Sequence, residues 1–297
     1  MRSKMRPYIP DWSARRMKYP QILLTGGNGQ VGHELKTTLR HLGAVWAPDR
    51  QAFDLSDPKS LREKIRNYQP NLIVNSAAYT AVDLAESEPS LAKTVNSDAP
   101  QVMAEEAQNL GIPLVHYSTD YVFDGLSCAP YREDSEPNPL NVYGTTKLAG
   151  ELAIQQVHDQ YLILRTSWVY SKTRGNNFYR TMLRLFREKE ELHVVSDQLG
   201  APTSARFLAD NTAAILQCLG IKAEGEKHWG LYHLTEPETM SWYEFAERIL
   251  MEEMPREFFK TKVIWPIGSD EYPTKAKRPL NSVLDLQKIN DAFLSLA

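Results

Sequence analysis

The sequence has few cysteines, little net charge and no long apolar run. Only Cys128 and Cys218 occur among 297 residues, far apart and without the spacing of metal ligands, which best fits a protein of the reducing cytoplasm. The formal net charge of −3 gives no reason to expect nucleic acid or an anionic membrane as the main partner. No stretch approaches a membrane span, and residues 1–18 are a polar extension without the apolar segment of an export signal.

Short apolar runs alternate with helical patterns from Gln21 onward. Strands are expected at 21–25, 44–47, 71–76, 114–118 and 161–166, and helices near 31–42, 57–68, 91–110 and 142–158. Strand runs such as ILLT and LIVN are apolar at successive residues, as in parallel strands that helices cover on both faces. The alternation predicts an α/β fold with a doubly wound parallel sheet.

The last third of the chain is less regular. Helices are expected at 176–189, 205–218 and 244–254, the last capped by Ser241, and a strand at 193–196. We therefore expect residues 19–168 and about 193–220 to form the sheet domain. Residues about 169–192 and 221–297 would form a smaller lobe beyond the carboxyl ends of the strands, where ligands bind in open α/β sheets.

A glycine-rich turn follows the first strand directly. Gly26, Gly29 and Gly32 are three residues apart in TGGNGQVG, where a helix is expected to open. Glycines let the backbone approach a pyrophosphate, whose charge then meets the helix N-terminus. A flexible turn is the alternative, but the position between strand and helix favours a dinucleotide in a Rossmann-type domain. After the second strand, Asp49 would suit a ribose 2′-hydroxyl and Arg50 a 2′-phosphate, so NADH and NADPH both stay open.

The second motif is Tyr143-x-x-x-Lys147, whose two side chains would share one face of a helix. A tyrosine ordinarily titrates near ~10, and a lysine cation that stabilises its phenolate would lower this pKa toward neutrality. Tyr143 could then give a proton to a carbonyl oxygen while hydride reaches the carbon, with Lys147 placed to hold the nicotinamide ribose. At the end of the fourth strand, Thr119 is expected to hydrogen-bond the substrate carbonyl. Ser118 is the second choice, and a hydroxyl that only satisfies backbone is the structural alternative.

Together the segments TGGNGQVG, NSAAYTAVDLAE, STDYVFDG, NVYGTTKLAGE and LRTSWVY, followed later by DQLGAPT and RPLNSVLD, resemble the dTDP-4-dehydrorhamnose reductase family. This family belongs to the extended short-chain dehydrogenase/reductase superfamily. The resemblance runs from about Gln21 to the C-terminus. It implies NAD(P)H-dependent reduction of the 4-keto group of dTDP-6-deoxy-L-lyxo-4-hexulose to dTDP-L-rhamnose. NADPH is the expected cofactor, with NADH as the alternative.

The resemblance also implies roles for individual residues. Thr119, Tyr143 and Lys147 match the catalytic triad. When the residues of the glycine turn and Arg50 are included, the full set of expected cofactor contacts is Gly26, Gly29, Gln30, Val31, Gly32, Arg50, Asp54, Leu55, Ala77, Ala78, Tyr79, Tyr143 and Lys147. The expected substrate contacts are Val82, Asp83, Thr119, Tyr121, Trp168, Gln198, Ala201 and Pro202, with Arg206 as a neighbour of the nucleotide. For Asp54 a turn carboxylate and for Trp168 a core position are the structural alternatives.

Some members of that family form homodimers through a magnesium ion held by glutamates. Glu34 matches one such position. The other glutamates are not placed in this sequence, so no metal site is predicted and a homodimer stays open.

Two other functions compete with a reductase. A nucleotide-sugar epimerase or dehydratase would share the glycine turn and the Tyr-x-x-x-Lys motif, and Asp120 could be taken for a dehydratase carboxylate, but the segment AAYTAVDLAE favours the reductase. A non-catalytic, NADP-binding regulatory subunit would keep the fold and lose the reaction. The intact Thr119, Tyr143 and Lys147 favour an enzyme.

Overall fold

The computed structural model of the chain describes residues 19–220, 228–253 and 256–294. Within these ranges the strands are β1 (Gln21–Thr25), β2 (Ala44–Trp46), β3 (Leu72–Asn75), β4 (Leu114–Thr119), β5 (Tyr161–Thr166), β6 (Val169–Tyr170), β7 (Glu191–Val195), β8 (Leu199–Gly200), β9 (Thr203–Ser204), β10 (Gly230–His233), β11 (Met240–Ser241) and β12 (Val263–Ile267). The helices are α1 (Gln30–Thr38), α2 (Pro58–Tyr68), α3 (Val82–Ala85), α4 (Pro89–Lys93), α5 (Ala99–Leu110), α6 (Val142–Val157), α7 (Phe178–Glu188), α8 (Ala205–Leu219), α9 (Trp242–Glu252) and α10 (Gln287–Ile289). A π-helical turn, Thr94–Asp98, joins α4 to α5.

The main sheet of the described chain has six strands in the order β10-β5-β4-β3-β1-β2, and its pairs are parallel. Helices cover both faces, since alternate residues of one strand join opposite cores: Leu24 packs in one cluster and Leu23 in the other. This explains the continuous apolar runs and confirms the predicted doubly wound α/β fold. The strand order reverses between β1 and β3, and the carboxyl ends of these strands open a crevice there.

A smaller unit packs beside this sheet. Strand β7 pairs in parallel with β12, and their inner faces meet α7 and α9 in a cluster that includes Phe186, Val194, Phe245 and Ile264. No helix in the described ranges is long and apolar enough to cross a membrane.

The structure corrects the predicted boundaries of the two units at two points. Strand β10, placed in the smaller lobe, is the edge strand of the main sheet. The segment of β7, placed in the sheet domain, pairs with β12 in the smaller unit. Both errors have one cause. The sequence of a short strand indicates that it is a strand, but it does not indicate with which distant strand it pairs.

The helix caps also correct two predicted helix bounds. Helix α7 begins at Phe178 because the Asn177 side chain accepts from the backbone N–H of Arg180. Helix α9 begins at Trp242, directly after Ser241, whose side chain forms a capping box with Glu244. The prediction named this cap but started the helix too late. The predicted end at residue 254 lies outside the described residues.

Candidate active site

The glycine turn is built by close backbone contacts that exclude side chains. Gly26 has φ +71°, and a Cβ there would lie 2.8 Å from the Ala77 nitrogen. A Cβ at Gly32 would lie 2.2 Å from the Gly26 oxygen. Helix α1 starts after Gly29 without a side-chain cap, so its N-terminus is free to meet an anion. The residues fit the pyrophosphate of a dinucleotide.

A first cleft extends from this turn across the carboxyl ends of β1, β2 and β3. Of the predicted cofactor contacts, those that line it are Gly26, Gly29, Arg50, Asp54, Leu55, Ala77, Ala78 and Tyr79. Val31 packs toward the core and Gly32 is buried in α1. Asn28, Pro48, Phe53, Leu91 and Val95 also line the cleft. Asn28 belongs to the glycine motif, and the other four were not predicted because apolar side chains carry no chemical signal.

Asp54 faces this cleft and also serves a turn. Its carboxylate accepts from the backbone N–H and the hydroxyl of Ser56, at 2.9 and 2.8 Å. These hydrogen bonds hold the pKa of Asp54 below its ordinary value. The turn alternative named above is therefore present, and it leaves the carboxylate beside the cleft.

A second cleft adjoins the first at the ends of β4 and β5. Its lining brings together the predicted residues Gln30, Val82, Thr119, Tyr121, Tyr143 and Trp168, with Ser118 and Asp120. The smaller unit supplies the opposite wall through Asn177, Phe178, Trp242 and Phe245. The predicted catalytic tyrosine and threonine thus lie in one cavity between the two units.

Thr119 is held by its neighbours at the end of β4. Its hydroxyl donates to Asp120 at 2.9 Å and accepts from the backbone N–H of Tyr121 at 3.2 Å. Burial raises the pKa of the Asp120 carboxyl to about 6, against hydrogen bonds from Ser282 and Thr119 that lower it. The hydroxyl of Ser118 is buried and has no hydrogen-bond partner among the described residues.

Tyr143 lies in the first turn of α6, with its ring edge-on to that of Tyr121 at a centroid distance of 5.7 Å. Burial raises the pKa of Tyr143 to about 12, and a hydrogen bond with Thr119 opposes the rise. The sequence predicted a pKa lowered toward neutrality by Lys147. In the free chain burial outweighs any such effect, so Tyr143 is a protonated phenol at neutral pH.

Lys147 is fully buried between α6 and β4. Its Nζ donates to the Tyr117 carbonyl at 2.6 Å and lies 3.1 Å from Nε2 of His116. Burial lowers the pKa of Lys147 to about 8, although the charge of Glu151 raises it. Sequence reasoning did not find His116, because a histidine inside an apolar strand shows no partner.

Trp168 is set by an unusual backbone and by a second indole. Its φ is +47°, a conformation that non-glycine residues adopt at a cost and that clusters at functional sites. Its ring stacks on Trp242 with centroids 3.4 Å apart, and a Cβ at Gly200 would lie 2.3 Å from it. Trp242, missed from the sequence, therefore shares this wall of the cleft.

The other predicted substrate residues lie outside the cleft lining. Asp83 pairs with Arg278 at 2.7 Å, and the hydrogen bond from this guanidinium holds the pKa of Asp83 below its ordinary value. Gln198, Ala201 and Pro202 are buried in a loop whose Ala201 exchanges hydrogen bonds with Ser167, next to Trp168. The loop supports the cleft wall from behind.

Arg206 and Glu34 meet on the surface between α8 and α1. Arg206 pairs with Asp210 at 2.7 Å and lies 3.9 Å from Glu34. Among the described residues, no group of three or more His, Cys, Asp or Glu side chains is arranged to hold a metal ion.

Comparison with known proteins agrees with this geometry. The family model of the RmlD substrate binding domain matches residues 20–296. A dTDP-4-dehydrorhamnose reductase from Burkholderia thailandensis is 44% identical over 277 residues, covering 92% of this chain and 93% of that protein. One from Escherichia coli K12 is 44% identical over 280 residues, covering 92% and 91%. The crystal structure of a dTDP-4-dehydrorhamnose reductase from Bacillus anthracis in complex with NADP has a TM-score of 0.83 at 34% identity, covering 92% of this chain and 93% of that chain. The chain belongs to the dTDP-4-dehydrorhamnose reductase family.

Proposed function

We propose that this protein reduces the 4-keto group of dTDP-6-deoxy-L-lyxo-4-hexulose to dTDP-L-rhamnose with NADPH. The observation that carries the proposal is the second cleft, where Thr119 and Tyr143 share one lining beside the glycine cleft. The names of the relatives supply the substrate. An epimerase or dehydratase would share the fold, but the family membership favours the reductase.

Different side chains of the protein would have different roles in this reaction. Tyr143, a phenol at neutral pH, gives its proton to the keto oxygen. The Thr119 hydroxyl, which donates to Asp120 in the absence of substrate, would turn its proton to the same oxygen and favour the charge that develops there. NADPH, when bound, supplies the hydride. The two indoles and Phe178 exclude water from the far side of the cleft and offer apolar surface to the deoxysugar.

The cofactor would be held by the first cleft. The glycine turn and the N-terminus of α1 would hold the pyrophosphate, and Ala77, Ala78 and Tyr79 would lie on the nicotinamide side. Arg50 lies at the cleft with its side chain exposed, and among the described residues its one ion pair is a distant contact of 3.9 Å with Asp54. It is therefore free to pair with a 2′-phosphate, which favours NADPH over NADH.

We expect Arg50→Ala to weaken NADPH binding about tenfold or more and to leave NADH binding nearly unchanged. A hydrogen bond to a charged group contributes about 1.5–3 kcal/mol, and only NADPH carries the phosphate. Titration calorimetry with both cofactors measures the ratio. Arg132→Ala, an exposed arginine paired with Asp134, is the control. Equal losses for both cofactors would contradict the assignment of Arg50.

The reaction is tested by making the keto sugar in situ from dTDP-glucose with the upstream dehydratase and epimerase. Oxidation of NADPH should require every upstream enzyme, and the product should be identified as dTDP-L-rhamnose by NMR. A folded protein that binds NADPH and gives no oxidation would overturn the proposal in favour of a non-catalytic subunit. Replacing the dTDP sugar by its UDP analogue tests the nucleotide preference.

A homodimer remains a proposal that the Glu34 match motivates. Light scattering with and without Mg²⁺ tests it, because a metal-bridged dimer would dissociate on chelation. The cytoplasmic location expected from the cysteine content is likewise a prediction.

A further inference from the structure

A buried chain of polar groups runs from the glycine turn to the catalytic lysine. Thr25 Oγ1 donates to Asn75 Oδ1 at 2.5 Å, and the backbone N–H of Ala77 donates to the same oxygen at 3.3 Å. Asn75 Nδ2 lies 2.9 Å from His116 Nδ1, and His116 Nε2 lies 3.1 Å from Lys147 Nζ. The four side chains that form this buried polar chain, those of Thr25, Asn75, His116 and Lys147, are each at most 1% exposed.

The donors in this chain determine where the imidazole proton sits. A backbone N–H can only donate, so the amide atom facing Ala77 is the oxygen of Asn75, and its nitrogen faces His116. That nitrogen can also only donate, so Nδ1 of His116 accepts. A neutral imidazole then carries its single proton on Nε2, pointing at Lys147. Burial holds the pKa of His116 well below its ordinary value, so the ring is neutral.

The contact with Lys147 is therefore favourable in one protonation state only. A neutral amine accepts from the imidazole N–H through its lone pair while it donates to the Tyr117 carbonyl. An ammonium presents a donor to a donor. To relieve this clash, His116 would have to change tautomer and Asn75 would have to turn over, which would take the acceptor away from Ala77.

We propose that His116 is a positioning residue that lowers the proton affinity of Lys147, because its Nε2–H bonds the lysine amine and opposes the ammonium. The buried polar chain thereby links the charge of Lys147 to Asn75 and to Ala77, which lines the first cleft. The consequence for catalysis rests on the proposed function. Tyr143 becomes a phenolate when it gives up its proton, and an ammonium would stabilise that phenolate, so the charge of Lys147 sets the acid strength of Tyr143.

Other titratable groups lie on the elements around this amine. On α6, Glu151 favours the ammonium, but the guanidinium of Arg165 on β5 is bonded to that carboxylate and offsets its charge. Tyr143 lies one turn earlier on α6 and is neutral. Asp120 follows β4 and becomes a carboxylate above about pH 6. Burial adds to the effect of His116 in disfavouring the charge.

The proposal is tested on the free protein, without substrate. Long-range ¹⁵N spectra of the histidine rings should show the His116 proton on Nε2, and ¹³Cε-labelled lysine, with Lys147→Met for assignment, reports the pKa of Lys147. In His116→Gln the amide can turn its oxygen toward the ammonium. We expect the proton affinity of Lys147 to rise about tenfold, the effect of one hydrogen bond.

A second variant keeps the histidine and reverses its partner. In Asn75→Asp the side chain can only accept, so the imidazole proton should move to Nδ1 and leave Nε2 to accept from the ammonium. The new carboxylate by itself also raises the pKa of Lys147, so the result that a merely space-filling histidine does not predict is the move of the proton from Nε2 to Nδ1. His233 is a fully buried histidine that does not belong to the buried polar chain of Thr25, Asn75, His116 and Lys147. His233→Gln should therefore leave the pKa of Lys147 unchanged.

A pH profile of kcat/KM gives a second readout. The inflection that reports Lys147 should move upward in His116→Gln and in Asn75→Asp. An Nδ1 proton in the wild type, or an unchanged Lys147 pKa in His116→Gln, would overturn the proposal. If His116→Gln fails to fold, the wild-type tautomer and Asn75→Asp still decide. The NMR measurements need no turnover. Absence of reductase activity would therefore refute the proposed function, while the NMR results alone would decide the inference about His116.

Discussion

Replacing Tyr143 by phenylalanine should lower kcat for reduction of the keto sugar by about 10²–10⁴, the usual contribution of a positioned general acid. Tyr143 lines the second cleft, and burial keeps its pKa near 12, so it carries the proton that the new hydroxyl needs. The affinity for NADPH should change by no more than about tenfold, since at most one hydrogen bond is lost. The coupled assay and a cofactor titration measure the two quantities.

The matched control is Tyr161→Phe. Tyr161 opens β5, at the edge of the sheet opposite the cleft, and the same deletion of a hydroxyl there should leave kcat unchanged. If Tyr143→Phe kept more than a tenth of the wild-type turnover, another group would have to supply the proton. Asp120, whose pKa of about 6 lets it hold a proton in mild acid, would then be the next candidate.

Breaking the buried ion pair behind the site should have the largest effect on stability. Glu151 and Arg165 are 1% and 3% exposed, and three contacts of 2.7–3.2 Å join them. Glu151→Gln leaves the guanidinium charge buried without its counterion. We expect a loss of about 3–5 kcal/mol in the free energy of unfolding, measured by urea denaturation.

Two controls separate the buried charge from other causes. Glu188→Gln removes the partner of Arg184 from an exposed pair and should cost no more than about 0.5 kcal/mol. Replacing both Glu151 and Arg165 by apolar residues of similar volume should recover most of the loss, because no charge is then left unpaired. A double variant as unstable as Glu151→Gln would show that shape, and not the unpaired charge, explains the effect.

Several elements were predictable because their signal is local. The run ILLT followed by spaced glycines indicates a strand, a tight turn and a helix N-terminus within a dozen residues. Asn141, whose side chain accepts from Gly144 at 2.8 Å, starts α6 and so places the tyrosine and the lysine one turn apart. Less local features were predicted wrongly: strand β10 (Gly230–His233) was assigned to the wrong unit, because the strand with which it pairs, β5, lies far along the chain.

The sequence by itself determined the parallel α/β sheet, the glycine turn and the placement of Tyr143 and Lys147 one turn apart on one helix, since each depends on spacing within one segment. Only the tertiary structure decided that His116 contacts Lys147, that Trp242 stacks on Trp168 and that the DQLGAPT loop lies behind the cleft. These contacts join residues from different elements, and local period and composition contain no information about which elements meet. The same holds for protonation: the pKa values of Tyr143 and Lys147 depend on burial, which folding alone creates.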